Sequence, residues 1–366
     1  MKNILTIGSA CQDMFIDYKN RDNLALSNPE LKNSIILREG EKVDIDNIFY
    51  SLGGGAVNSA LSFKKLGFNV STIFKLGIDQ TGEYILGKLS EIGIITKDII
   101  LDKNIETAKS FIFSTQDHNY TALCFRGSNQ SFDFNDVKYK LDKFNYDLVY
   151  ITSLSSNFTR DLEYFIKKIK RKETLISFNP GISQLVKDTS YVYGALKYID
   201  VFVLNALEAK SYLECLLNSY LIDLVSYNKI ITDLDTPELF YKFLNYKNKS
   251  LTIEFFFKQI LKKGPKIVIV TNGKEGVYLA TQDFILFYPS IETEVLSTLG
   301  AGDAFSSCFI ASLMLDVSVE KSLIYGAINS SSVISCMNAN QGLLGLPEIE
   351  QKFKKINYKL LKKFVI

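Results

Sequence analysis

The sequence predicts an α/β fold: a mostly parallel sheet covered by helices on both sides, with a second, smaller β-sheet set apart from it. Three observations carry that prediction. Short β-branched runs alternate with helix-length periodic segments along the 366 residues. The runs are apolar almost throughout, as strands buried on both faces are. Two stretches break the rhythm with β-type residues and no intervening helix.

In chain order, the strand runs are Ile4–Gly8, Val70–Leu76, Asp147–Thr152, Thr174–Phe178, Val201–Leu204 and Lys266–Thr271. Helical periodicity occupies Ala56–Leu66, Thr81–Ile92, Asn157–Lys170 and Ala206–Leu217. The aberrant stretches are Met14–Tyr50 and Thr107–Phe125, where alternation such as Phe111-Ile112-Phe113 and Thr121-Ala122-Leu123 predicts a small antiparallel sheet. The domain reading is a large α/β domain over 1–13, 51–106 and 127–366, with a discontinuous β lid over 14–50 and 107–126. Residues 218–255, polar and rich in Tyr and Lys, read as a surface insertion. Toward the C-terminus, Gln351–Phe364 puts Phe353, Ile356, Leu360, Leu361 and Phe364 on one helical face with lysines elsewhere. That pattern predicts a surface helix docked by its apolar stripe rather than one lying on a membrane.

Composition excludes several functions. The 42 basic and 40 acidic residues leave a net charge of +2, without the footprint of a nucleic-acid partner. A single histidine, His118, removes His-ligated zinc and His proton relays; it falls in the lid stretch and reads as structural or surface. Five scattered cysteines with no C-x-x-C suit a reducing, cytoplasmic setting. The apolar run Ile4–Ile7 is far short of a signal peptide, and no segment approaches the ~20 apolar residues of a membrane span.

Three glycine clusters remain. Gly82–Gly87-Lys88-Leu89 nearly spells a Walker A loop, but Leu89 stands where Ser or Thr must hold Mg²⁺, and Glu83–Leu86 look helical. Gly300-Ala301-Gly302-Asp303 lies where a loop meets the buried-helix pattern Ser306–Leu315. A helix N-terminus binds anions through its free N–H groups, and a carboxylate inside such a site can take a proton from an attacking hydroxyl. The alternative is that Asp303 caps the helix. Gly53-Gly54-Gly55-Ala56-Val57-Asn58 precedes another helix; its glycines permit close approach of backbone to a small ligand, and Asn58 can donate and accept.

Together these motifs resemble the ribokinase/PfkB family of sugar and nucleoside kinases. Gly53–Ala60 with Gly67 and Gly77 is similar to one family pattern, and Ser297–Phe305, centred on Gly-Ala-Gly-Asp, to the other. Between them Asn205-Ala206-Leu207-Glu208 resembles the N-x-x-E motif, and Thr271–Gly276 the nucleotide loop. The resemblance implies a ribokinase-like three-layer α/β/α domain with a β lid, and transfer of the ATP γ-phosphoryl group to a primary hydroxyl of a small sugar, or alternatively of a nucleoside. It implies Asp303 as base and the backbone N–H groups of Gly300, Ala301 and Gly302 as anion hole. Asp13, Gly53, Gly54 and Asn58 would bind the acceptor. Asn205 and Glu208 would position Mg²⁺; Thr271, Gly273 and Gly276 would line the nucleotide site, with Asn329 near the adenine. A non-catalytic, sensor-like member would lack Asp303 or the anion-hole glycines, and all are present.

Two departures from the family pattern stand out. Ser297 replaces the usual Asp and Leu299 a common Thr, so K⁺ activation, which relatives draw from that neighbourhood, does not carry over. Ser307 and Cys308 occupy two helix positions that are commonly glycine. A phosphosugar acceptor would call for added Lys or Arg, for which Lys75 and Arg126 are the candidates. An exposed edge of the lid sheet could pair two subunits into a homodimer.

Overall fold

Six apolar runs become adjacent parallel strands, in the order β4 (Asn69–Ile73), β1 (Asn3–Ile7), β9 (Leu148–Ile151), β10 (Leu175–Phe178), β11 (Val201–Asn205) and β14 (Ile267–Thr271). Ile4 of β1 sits between Val70 and Leu148 of its neighbours. Three antiparallel strands then extend the sheet beyond β14: β15 (Val277–Ala280), β16 (Phe284–Tyr288) and β17 (Lys362–Val365). This computed structural model describes residues 1–17, 39–40, 42, 44–114, 120–224 and 236–365. His118 and part of both the lid stretch and the 218–255 segment lie outside the described residues.

Every residue of β9 is buried, which a strand achieves only when helices cover both faces. On one face, α1 (Gly55–Lys65), α2 (Gln80–Ile92), α10 (Ala301–Met314), α11 (Val319–Ile334) and α12 (Leu346–Phe353) enclose a core that includes Val57, Phe63, Phe309 and Tyr325. On the other, α4 (Ser156–Arg160), α5 (Leu162–Ile169), α6 (Ile182–Lys187), α7 (Thr189–Ala195), α8 (Ala206–Asn218) and α9 (Ile253–Lys263) pack around Phe165, Phe178, Phe202 and Tyr212. The result is the α/β/α sandwich expected. The predicted helix over Asn157–Lys170 is two helices meeting at Asp161, and Val70–Leu76 splits, its end forming β5 (Lys75–Gly77) against β6 (Ile100–Asp102).

The second sheet has four strands, in the order β3 (Asn47–Gly53), β2 (Cys11–Asp17), β7 (Lys109–Ser114) and β8 (Tyr120–Phe125). Its register places Asp13 opposite Ser51 and Ser110, and Ser110 opposite Cys124. Side chains alternate across a strand, so Asp13, Ser110, Ile112, Ala122 and Cys124 share one face. Tyr50, Phe111, Leu123 and Phe125 share the other and are exposed.

Two expectations are corrected. The C-terminal helix stops at Phe353; after a single turn at Tyr358–Leu360 the chain extends as β17, with Phe364 opposite Ile285. Pairing with the open edge of β16, and a tilted contact of the Phe364 and Phe240 rings at 4.5 Å between centroids, outweigh the helical periodicity. Nor is the described part of 218–255 merely surface. Its hairpin of β12 (Leu244–Tyr246) and β13 (Lys249–Leu251) and the turn Glu238–Phe240 bury Leu239, Phe240, Phe243, Tyr246 and Leu251 in the core beside α9. Among the described residues no helix is long and apolar enough to cross a membrane.

Candidate active site

The carboxyl ends of the parallel strands open into a cavity of about 390 Å³, roofed by the polar face of the small sheet. Open α/β sheets place ligands at this edge. Gly300 starts α10 in the left-handed conformation (φ 77°), and a Cβ there would stand 2.4 Å from the Ala339 side chain, so only glycine turns the chain at this point. The start of α10 lines the cavity, which sets the positive end of the helix dipole and the first-turn N–H groups of Gly302 and Asp303, free of helical partners, at its wall. Gly300 and Gly302 are in its wall, and nothing occupies the space where a Cβ of Gly302 would be. Ala301 is not part of that wall; its amide leans back on the Thr298 carbonyl at 3.4 Å.

Asp303 does not cap α10. Its Oδ2 accepts a hydrogen bond of 2.9 Å from Nδ2 of Asn58, on the neighbouring helix α1. Burial lifts its pKa to about 6; the charge of Asp13 adds to the rise and the Asn58 bond opposes it. The two helices are held at this level by a second bridge, Ser307 Oγ donating to Ser62 Oγ at 2.7 Å. The small helix position at 307 thus keeps its packing role through a hydroxyl.

Asp13 looks into the cavity from the lid strand β2 and is only 5% exposed. Burial raises its pKa, against hydrogen bonds from Cys11, whose Sγ donates to Oδ1 at 3.2 Å, and from Ser110. A Cβ on Gly53 would lie 2.1 Å from Asp13 Oδ2, so Gly53 makes room for this carboxylate. Gly54 (φ 92°) passes so close to Ser9 that a Cβ would meet its carbonyl at 2.5 Å, and it lines the cavity itself.

Asn205 and Glu208 form a reciprocal cap at the start of α8: Asn205 Oδ1 accepts from the Glu208 N–H and Glu208 Oε2 from the Asn205 N–H, both at 2.8 Å. The N-x-x-E spacing is therefore also a capping box. Both residues line the cavity, and burial together with the charge of Asp303 lifts Glu208 to about 7. Thr271, at the end of β14, lines the cavity too. Gly273 and Gly276 lie just beyond it; a Cβ at Gly276 would strike the Tyr288 carbonyl at 2.3 Å, so packing accounts for that glycine.

Asn329 corrects an expectation. It is fully buried in α11, where Nδ2 donates to the Ala304 carbonyl at 3.0 Å and Oδ1 accepts from the Leu344 N–H at 3.0 Å. Its amide ties α10 and α11 to the 344 loop instead of facing a ligand. Lys75 is likewise committed, to Asp136 at 2.8 Å and the Ser131 carbonyl at 3.1 Å, and Arg126 flanks the short helix α3 (Gly127–Ser131) outside the cavity wall. Sequence reasoning missed the lid's inward row of Cys11, Ser110, Ile112, Ala122 and Cys124. The β-alternation carried the signal, but which parity faces the site depends on strand register.

The pfkB carbohydrate kinase family model matches residues 1–219 and 248–344, leaving out most of the polar segment. The chain is 24% identical over 316 residues to the ATP-dependent 6-phosphofructokinase of Thermoanaerobacterium thermosaccharolyticum, covering 85% of this chain and 86% of that enzyme. It is also 24% identical over 315 residues to the 5-dehydro-2-deoxygluconokinase of Halalkalibacterium halodurans, with 83% and 86% covered. The fold is similar to that of Arabidopsis thaliana ribokinase complexed with ribose and ATP (TM-score 0.71, 17% identity, 97% of this chain and 99% of that one).

Proposed function

The chain belongs to the pfkB family of carbohydrate kinases, and on that premise we propose that it transfers the γ-phosphoryl group of ATP to a primary hydroxyl of a small, uncharged sugar. The observation that carries this reading is the Asp303–Asn58 pair, half-buried at the mouth of α10 and lining one cavity with the second carboxylate, Asp13. Asp303, with a pKa near 6, is ionised at neutral pH and accepts the proton of the attacking hydroxyl. Asp13, Asn58 and Ser110 hold the acceptor's other hydroxyls. Gly302 and the start of α10 stabilise negative charge as it develops.

The residues present fit a magnesium nucleotide. The open N-terminus of α10 suits phosphate, and Glu208 and Asp303, two carboxylates that burial pushes toward neutrality, suit a divalent cation nearby. Asn205 and Glu208 would hold Mg²⁺, with Thr271 toward the nucleotide. Bound Mg²⁺–ATP supplies the electrophilic phosphorus and neutralises phosphate charge.

Among the described residues the cavity wall carries Asp13, Glu208 and Asp303 and no Lys or Arg, which supports an uncharged acceptor over a phosphorylated one. The apolar patch of Ile112, Ala122 and Cys124 supports a nucleoside as the second reading, with its base against that wall. The exposed outer row of the lid further supports a homodimer formed through this sheet. ATP consumption measured over a panel of neutral sugars, nucleosides and sugar phosphates, with and without a Mg²⁺ chelator, tests the reading. Turnover with a neutral acceptor that stops on chelation is expected; turnover indifferent to chelation, or confined to sugar phosphates, overturns it.

A further inference from the structure

A second cavity, of about 720 Å³, lies between the end of α1, helix α2, strand β3 and the turn over residues 338–343, and shares no lining residue with the active cavity. Its volume is that of a small-molecule site, roughly 300–1,000 Å³. Buried Leu52 and Leu61 supply apolar wall, Tyr50 and Tyr84 aromatic rings, and Asn338 and Asn340 amides. Lys64 and Lys65, in the last turn of α1, bring two positive charges, and among the described residues no Asp or Glu lines the cavity. Neither ammonium group has a hydrogen bond or ion pair among the described residues. Lysines suit the last turn of any helix, and α5 ends the same way in Lys167 and Lys168. What α1 adds is a cavity that its two lysines line. The active cavity has the opposite sign, with three carboxylates in its wall.

We propose that this cavity is an effector site for a phosphorylated small molecule, a sugar phosphate or a nucleotide, whose phosphate is held by Lys64 and Lys65. Two unpaired cations call for a dianion, and a phosphate monoester carries about −1.5 to −2 charges near neutral pH. The tyrosines and leucines then take the rest of the molecule. The 338–343 turn links this site to the active cavity on two sides. Nδ2 of Asn340 donates to the Leu52 carbonyl at 2.7 Å, next to Gly53, which makes room for Asp13. Ala339 packs where a Cβ on Gly300, at the start of α10, would stand 2.4 Å away. Oδ1 of Asn340 is buried without a donor, an unfavourable arrangement that a shift of the turn or an added donor relieves. An occupant gripping this turn therefore acts on Leu52 and Gly53, and through them on the grip of Asp13 on the acceptor. Binding stands on the cavity alone; the effect on the acceptor rests on the kinase reading.

The test compares wild type with Lys64→Gln/Lys65→Gln and with Lys167→Gln/Lys168→Gln, a matched pair of helix-end lysines on the opposite side of the sheet. Isothermal calorimetry is run with inorganic phosphate, ribose phosphate and AMP; whichever organic probe binds more tightly than phosphate identifies the source. That probe should bind wild type and the 167/168 variant equally, and the 64/65 variant about 10-fold or more weakly. All three proteins should melt at nearly the same temperature, and the Asn340 side-chain amide resonance of wild type should move on titration. Equal binding to all three proteins, equal losses in both variants, an unmoved Asn340 resonance, or no binding of either organic probe at about millimolar concentration overturns the site. In turnover assays the bound probe should shift the acceptor KM of wild type by about 5-fold or more and leave that of the 64/65 variant unmoved. An unchanged wild-type KM at saturation overturns the effector role. If wild type phosphorylates no acceptor, the kinase reading falls while calorimetry still decides the site.

Discussion

The central sheet and the lid differ in what their faces touch. Both faces of the nine-stranded sheet are covered, and helices α1 and α10 are locked to it and to each other through Asn58–Asp303 and Ser62–Ser307. The lid turns one face, with Asp13 and Ser110, to the cavity and leaves Tyr50, Phe111, Leu123 and Phe125 between 38% and 57% exposed on the other. In the proposed reaction the base, Asp303, and one acceptor contact, Asn58, sit on helices fixed by packing from several directions, whereas the other acceptor contacts, Asp13 and Ser110, sit on a sheet held along one side. On the proposed function, this contrast predicts that changes in the body act mainly on the rate of the reaction and changes in the lid mainly on the choice and grip of the acceptor.

The largest effect expected is on the body side. Asp303→Asn keeps the shape and the Asn58 contact but removes the proton acceptor, so kcat should fall about 10²- to 10⁴-fold. The same change should stabilise the fold at pH 8. The Asp303 pKa lies near 6 in the folded protein against an ordinary 3.8, so the stability associated with its proton is fully present below about pH 4 and is lost as pH rises through 6. Removing the charge recovers up to about 3 kcal/mol at pH 8 and nothing at pH 4. Melting curves at both pH values check the sign; a variant that is less stable at pH 8 would show that Asp303 serves the fold.

On the lid side, Asp13→Ala should raise the acceptor KM by roughly 10- to 100-fold, the loss of a hydrogen bond to a charged group being worth about 1.5–3 kcal/mol. Its kcat should stay within a few-fold of wild type. Steady-state kinetics on the best acceptor separate the two constants, and a kcat loss as deep as that of Asp303→Asn would erase the division between body and lid. The smallest catalytic effect belongs to the outer face. Phe111→Lys with Leu123→Lys should convert a dimer into monomers in analytical ultracentrifugation while leaving kcat nearly unaltered; a wild-type protein monomeric at high concentration would leave that face unpaired.

Much of the fold is legible in the sequence. The six parallel strands are continuous apolar runs because they are covered twice, and that signature needs no tertiary information. The grouping of Asp303, Asn58, Asp13, Glu208 and Thr271 around one cavity follows the motifs. The reading failed where partners distant in sequence decide the outcome. The residues of β17 carry a helical stripe and become a strand only because β16 presents an unpaired edge. Asn329 looks like a ligand-facing amide until Ala304 and Leu344 occupy it. The capping-box role of Asn205 and Glu208 is legible from their spacing alone, beside the Mg²⁺-positioning role that the family resemblance implies. β15 and β16 went unrecognised because each is a run of four or five residues closely following β14.

The pairing of β16 with β17 also bears on how the chain is made. β16 reads Phe-Ile-Leu-Phe-Tyr, a segment of high β-propensity without charge, and in the finished protein β17 covers its outer edge with Lys362 and Lys363 set along the rim. In synthesis the cover arrives late: α10, α11 and α12 must all leave the ribosome between the two strands. Throughout that interval a sticky, uncharged edge is open to any neighbouring nascent chain. Expression yield should therefore depend on how quickly the last strand docks, the step on which low temperature or a holding chaperone would act.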